Sequence, residues 1–233
     1  MGKDIKRTFL NQWHADNGGN LVAFGDYEMP LWYSSVKKEH LVVLTNAGMF
    51  DTSHMAVVMA KGPGAFDLIQ RCFTRDLNAC IGKDNLPISV GRCVYGAYLD
   101  DSGYAIDDAI IGKISDEEYM IVVNAGMGGA IAQHMETVKG DRQVEITDLT
   151  DRLGKFDIQG PMSVKIMQKV LKDPEKVFDK MVYFSFKGHF DPSSPFAEQV
   201  QLKDGTPLLL SRSGYTGEVG FEIFIAPEDT VKA

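Results

Sequence analysis

No apolar run in this sequence approaches the roughly 20 residues that a membrane span needs, and the opening Met-Gly-Lys-Asp-Ile-Lys-Arg has no apolar stretch behind its charges. Neither a membrane helix nor a secretory leader is expected, which points to a soluble, intracellular, cytoplasmic protein. Cysteine is scarce. Cys72, Cys80 and Cys93 are an odd count without Cys-x-x-Cys or Cys/His ligand spacing, which argues against a disulfide framework and a structural zinc site. They read as buried or half-buried thiols, and no metal is expected. Positive charge is in deficit: a formal net charge of -8 and a pI near 5.1 repel phosphodiester backbones and anionic lipid heads, so neither nucleic acid nor a membrane is an expected partner. The Walker loop, the Gly-x-Ser-x-Gly elbow, His-Glu-x-x-His and the Rossmann fingerprint are all missing. Gly126-Met127-Gly128-Gly129 lacks the spacing of that fingerprint and reads as a turn.

What remains is a globular chain. Its 233 residues, 44% of them hydrophobic, suffice for one large or two small cores. Val57 to Ala60 reads as a strand stopped by Lys61-Gly62-Pro63-Gly64, and Phe66, Leu68, Ile69, Cys72 and Phe73 follow at helical spacing. Cys93 to Leu99, a turn at Asp100-Asp101-Ser102-Gly103, and Tyr104 to Ile111 read as a β-hairpin. Glu118 to Asn124 is a further strand, Ala130 to Val138 a helix, and Val144 to Thr147 begins the next strand. A second block repeats this style. Lys155 to Gln159 is a strand, Gly160-Pro161 a break, and Met162 to Leu171 a helix with Pro161 in its first turn. Thr206 to Ser211 and Val219 to Ile225 form a hairpin around Ser213 to Gly217. The recurrence of Ser-Gly-Tyr at 102–104 and 213–215, each time before an acidic strand, is a weak mark of duplication. Lys187 to Pro195 reads as a linker.

Carboxylates inside apolar strands are the chemical anomaly. Neighbouring strand residues point to opposite faces, so one of Asp107 and Asp108 is expected to be buried, either as a structural anchor or as a group with a tuned pKa. Glu222, between Phe221 and Ile223, has two readings: a solvent-facing strand residue, or a carboxylate recognising an amino group beside a ring N–H. Asp51, Ser53 and His54 lie on one short segment and cannot form a triad; a turn or cap held by Asp51 and Ser53 is expected. Trp32, Tyr33, Phe184, Phe186 and Tyr215 could stack a flat heterocycle or simply pack.

Five ordered stretches carry a resemblance. Gly48-Met49-Phe50-Asp51-Thr52-Ser53-His54-Met55 is similar to the Gly-Met-Phe-Asp-Val-Ser-His-Met signature of glycine-cleavage aminomethyltransferases, the T-protein family. Gly103 to Asp108, Val122 to Ala125, Gln159-Gly160-Pro161 and Ser213 to Glu222 resemble further signatures of that family in the same order. The resemblance implies a mixed α/β, or α+β, fold: a duplicated strand-helix folate-binding core with mostly antiparallel sheets, lacking the C-terminal β-barrel. The first folate-binding subdomain is expected over 1–150 and a truncated second over 151–233. The implied activity moves a one-carbon unit from the aminomethyl-dihydrolipoyl arm of the H-protein to tetrahydrofolate with release of ammonia. By resemblance Asp108 is the catalytic carboxylate and Glu222 recognises the pterin. Met55, Tyr95, Asn124, Phe184 and Tyr215 fall at cofactor-lining positions. A folate-dependent demethylase and a non-catalytic folate-binding fragment are the alternatives; Phe184, where a tyrosine is common, favours the demethylase.

Overall fold

The computed structural model describes residues 5–233; the first four residues of the charged opening stretch, read above as no leader, lie outside them. Residues 5–54 form β1 (Lys6–Arg7), α1 (Asn11–Asp16), β2 (Asn20–Phe24), β3 (Tyr27–Trp32), α2 (Val36–Thr45) and β4 (Gly48–Asp51). Residues 55–150 form β5 (Ala56–Lys61), α3 (Ala65–Cys72), β6 (Cys93–Leu99), β7 (Ala105–Ser115), β8 (Glu118–Val123), α4 (Gly128–Val138) and β9 (Glu145–Asp148). Residues 151–233 add β10 (Gly154–Gln159), α5 (Ser163–Val170), α6 (Pro174–Phe178), β11 (Phe186–Gly188), β12 (Leu209–Ser211) and β13 (Gly220–Ile225). No helix among the described residues is long and apolar enough to cross a membrane.

The chain divides into two compact units, one of residues 55–150 and the other combining the opening stretch to 54 with 151–233. The middle unit holds a five-stranded antiparallel sheet in the order β6-β7-β8-β5-β9. Ala56, Val58 and Ala60 alternate onto one face of β5 and join Leu68, Ile69 and Cys72 of α3 and Ile131 and Met135 of α4 in one core. Ala65, Leu68, Ile69 and Cys72 sit at i, i+3, i+4 and i+7, which gives α3 a single buried stripe.

The other unit holds an antiparallel sheet ordered β11-β12-β13-β10-β4, and a small sheet β1-β3-β2 in which β1 and β3 run parallel. The helix-facing residues of its large sheet, Phe156, Ile158, Phe221, Ile223 and Ile225, pack with Met167 of α5 and Val177 of α6. No sheet closes into a barrel among the described residues.

The two large sheets share one topology. A first strand (β5 or β10) leads into a helix, a three-strand meander follows, and the meander's last strand returns antiparallel to the first. Only the edge strand differs in origin: β9 comes from after the meander, whereas β4 comes from far upstream. This duplication is not marked by the Ser-Gly-Tyr tripeptide, because 102–104 lies in the turn between the first and second meander strands and 213–215 between the second and third. It is marked by Gly-Pro. Gly62-Pro63 and Gly160-Pro161 occupy the equivalent strand-to-helix turn, with glycine φ of +135° and +124°. A Cβ at Gly62 would lie 2.5 Å or less from the Gln143 carbonyl oxygen, and one at Gly160 would lie 2.5 Å from that of Asn46, so both positions exclude a side chain by space as well as by φ.

Two local expectations change. Pro161 precedes the Met162 cap of α5 instead of sitting in its first turn. The stretch 187–195 is no linker, since it starts within β11 and contains the buried His189.

Candidate functional site

In the middle unit Asp107 and Asp108 stand near the start of β7, and neither is buried; both are half-buried. They keep opposite faces, Asp107 pairing with Tyr98 and Asp108 with Ala97. The expected burial of one of them fails because β8 pairs with β7 only from Ala109 onward, which leaves both carboxylates beyond the end of that strand, just after a bulge at Ile106. Asn124, one residue past the end of β8, clamps both: its Nδ2 donates to Asp107 Oδ1 at 2.8 Å and to Asp108 Oδ1 at 2.5 Å, and its backbone N–H donates to Asp107 Oδ2 at 2.9 Å. Tyr95 on β6 donates its phenol to Asp108 Oδ2 at 2.6 Å. Ala97 pairs with Asp108, so Tyr95 shares the face of Asp108 and reaches it diagonally. Met55, half-buried, precedes the pair Ala56–Val123 and so lies at the sheet end that also carries Asn124. Four expected residues thus come together at one end of this sheet.

In the other unit Glu222 is 5% exposed, which removes the solvent-facing reading. It lies directly opposite Asp157 across β10 and β13, and like charges in that position repel. Lys155 resolves the conflict: its Nζ is 2.7 Å from Glu222 Oε1 and 2.9 Å from Asp157 Oδ1. Ser213 donates its hydroxyl to Glu222 Oε2, and Thr52 donates to Asp157 Oδ1 at 2.8 Å. Burial pushes the Glu222 carboxyl up, but the Lys155 ammonium and the Ser213 hydroxyl outweigh it and leave Glu222 below the usual range. Burial, with the Glu222 charge opposite, leaves Asp157 raised despite Lys155. Burial opposes the Lys155 ammonium, yet the two carboxylates overcome it and raise Lys155.

The remaining expected residues of this unit are Phe184 and Tyr215. Phe184 is half-buried, has φ +57°, and packs on Tyr183 with ring centroids 4.9 Å apart. Its backbone N–H bonds to the Arg212 carbonyl, beside Ser213. Tyr215, two residues beyond Ser213, is 75% exposed. Of the other aromatics, Phe186 is buried, Trp32 is half-buried and Tyr33 is exposed.

Asp51 and Ser53 do form a turn, with the Ser53 N–H donating to Asp51 Oδ1 at 3.0 Å. Asp51 also belongs to a cluster drawn from separate elements: buried His14 of α1 lies 3.0 Å from Asp51 Oδ2 and 2.5 Å from the Tyr33 hydroxyl, and Thr8 donates to the same Oδ2. His14, Lys155, Asp157 and Thr52 were not singled out by the sequence. For Lys155 and Asp157 a signal existed, charged residues two apart in a strand whose intervening positions are also apolar. A separate cleft of about 590 Å³, lined among others by Lys172, Lys176, Lys187 and Glu198, includes none of the candidate residues.

A duplicated α+β architecture with clamped carboxylates on its sheets defines the class of protein. The chain belongs to the family described as the GCVT N-terminal domain, which matches residues 10–233. It is 36% identical over 232 residues to an aminomethyltransferase of Bacillus mycoides (strain KBAB4), covering 98% of this chain and 56% of that one. It is 35% identical, with the same coverage, to an aminomethyltransferase of Bacillus cereus (strain G9842). The chain therefore spans little more than half the length of these curated relatives. Among solved structures, glycine cleavage system aminomethyltransferase T from Bartonella henselae matches with a TM-score of 0.78 at 24% identity, over 98% of this chain and 55% of that one. Heterotetrameric sarcosine oxidase from Corynebacterium sp. U-96 matches with a TM-score of 0.57 at 13% identity, over 97% and 89%. At those identities the likeness is one of fold.

Proposed function

We propose that this chain is the folate-binding part of a cytoplasmic, tetrahydrofolate-dependent aminomethyltransferase acting with lipoylated H-protein. The observation that carries the reading is the convergence of Tyr95 on β6, Asp108 on β7 and Asn124 just past β8, joined by hydrogen bonds of 2.5–2.6 Å. Asp108 is the catalytic carboxylate. Glu222 is the pterin-recognising carboxylate, with Met55, Tyr95, Asn124, Phe184 and Tyr215 as folate contacts, and the divisions 1–150 and 151–233 correspond to the two halves of the folate-binding sequence.

In this reaction a folate nitrogen attacks the methylene carbon of the aminomethyl thioether. Ammonia leaves with one folate N–H proton, and closure by the second nitrogen releases the dihydrolipoyl thiol with the other. The carboxylate of Asp108, with Tyr95 and Asn124 fixing its two oxygens, orients the amine and stabilises positive charge as it develops. The test supplies the chain with aminomethylated H-protein and tetrahydrofolate and measures methylenetetrahydrofolate. Asp108→Asn is expected to lower turnover about a hundredfold or more; equal turnover discards the assignment.

A folate-dependent demethylase is the second reading, favoured by Phe184, which brings no hydroxyl to its position. A screen of small methyl donors against aminomethylated H-protein separates the two, since a demethylase ignores the protein substrate.

A further inference from the structure

The Lys155 ammonium has three N–H donors and three acceptors: Glu222 Oε1 at 2.7 Å, Asp157 Oδ1 at 2.9 Å and Thr52 Oγ1 at 3.0 Å. None is left for a ligand. The side chain is 3% exposed, its ammonium lies 5.4 Å from the Phe224 ring centre, and its backbone is pinned by Thr52 and Ser53. Such a lysine cannot bind a substrate phosphate or act as a free amine. What it can do is decide the charge of the carboxylates beside it.

Glu222 spends one lone pair of Oε1 on Lys155 and one of Oε2 on Ser213. Each oxygen keeps a second acceptor position. We propose that Lys155 is a positioning residue for Glu222: seated between two opposed buried carboxylates, it holds Glu222 as an anion with one acceptor site per oxygen directed to a ligand bearing two adjacent N–H groups. This rests on the reading of Glu222 as a pterin-recognising carboxylate and adds the residue that keeps it ionised. Without Lys155, Asp157 and Glu222 face each other across paired strands and must share a proton. Asp157 is already the raised member of the pair. The other ionisable neighbours are few. His54 feels both Asp51 and Lys155, and its own pKa is lowered, first by burial, so it brings little positive charge to replace the ammonium.

The test follows the Glu222 carboxyl carbon by NMR titration in the full chain and in Lys155→Met, alongside calorimetric titration with tetrahydrofolate under reducing conditions. In Lys155→Met the Glu222 midpoint should rise, and folate affinity near neutral pH should fall by about tenfold for each pH unit of rise beyond the working pH. Adding Asp157→Asn to that variant removes the competing carboxylate, so the Glu222 midpoint should move back down and binding should recover. A structural role alone gives no such recovery. An unchanged Glu222 midpoint in Lys155→Met overturns the proposal. Should Lys155→Met not fold, Asp157→Asn is compared with Asp157→Asn/Lys155→Met. The midpoint must be higher in the second, and equality overturns the proposal. If wild type and Glu222→Gln respond identically to folate, the ligand reading of Glu222 fails, and the NMR titration still decides the role of Lys155.

Discussion

Lys155 holds together a sheet that would otherwise press two carboxylates against each other. Three buried charges stay only because each is paired and hydrogen-bonded, and deleting the central one leaves the other two uncompensated. Lys155→Met is expected to lower unfolding free energy by about 3–5 kcal/mol in urea titration; a loss below about 1 kcal/mol is incompatible with this account. Asp51 makes a second prediction, about pH. Burial raises its carboxyl, but His14, Thr8 and Ser53 outweigh burial and leave it below its ordinary value of 3.8. A carboxyl lowered in the folded state contributes stability fully above its unfolded pKa and loses it as pH falls through the folded one. Wild type should therefore lose stability below about pH 4 more steeply than Asp51→Asn, which should already be about 1–3 kcal/mol less stable at neutral pH. Parallel acid limbs in the two proteins would refute this.

At the scale of elements, the sequence shows period and breaks well but partners poorly. The stripe of α3 and the hairpin of β6 and β7 follow from spacing and turn residues alone, because both are local. Leu68→Ala on that stripe is expected to cost about 3–5 kcal/mol, as Leu68 is fully buried against the sheet. Asp107 and Asp108 are legible as anomalous carboxylates, yet their common clamp is not, since it comes from Asn124, which the pairing of Ala109 with Val123 brings beside them from the next strand. Lys155 and Asp157 are not distinguished by the sequence for a related reason. Charged residues two apart describe an ordinary solvent face until β4 and β13 are known to flank the strand, and those pairings span about a hundred and about seventy residues respectively. Gly62-Pro63 and Gly160-Pro161 were visible as separate turns, and only the topology shows that they are the same turn twice. Gly160→Ala combines a forbidden φ with backbone overlap and is expected to destabilise by more than the roughly 1 kcal/mol of an ordinary glycine replacement.

For the molecule as a whole, the boundaries of the two compact units, at 54 and 150, follow from where each large sheet takes its edge strand. The middle unit takes its edge strand, β9, from its own end, so residues 55–150 carry a complete sheet, two covering helices and a core. The sheet of β10 to β13 takes its edge strand from β4, together with the Ser53 hydroxyl that both donates to and accepts from the Lys155 backbone. Lys6 and Tyr27 add bonds to Asp151 at 2.7 and 2.5 Å. A fragment of residues 151–233 therefore lacks partners for a whole side of β10, and an open edge with buried charges beside it is not a stable state. The fragment 55–150 is expected to melt cooperatively by circular dichroism, and 151–233 is not. Adding a peptide of residues 1–54 should restore a cooperative transition to 151–233, whereas the same peptide carrying proline at Phe50, which pairs with Asp157, should do so poorly because it loses a ladder hydrogen bond or bends the strand. Cooperative folding of 151–233 by itself would show that β4 is dispensable and that the sheet is completed without it.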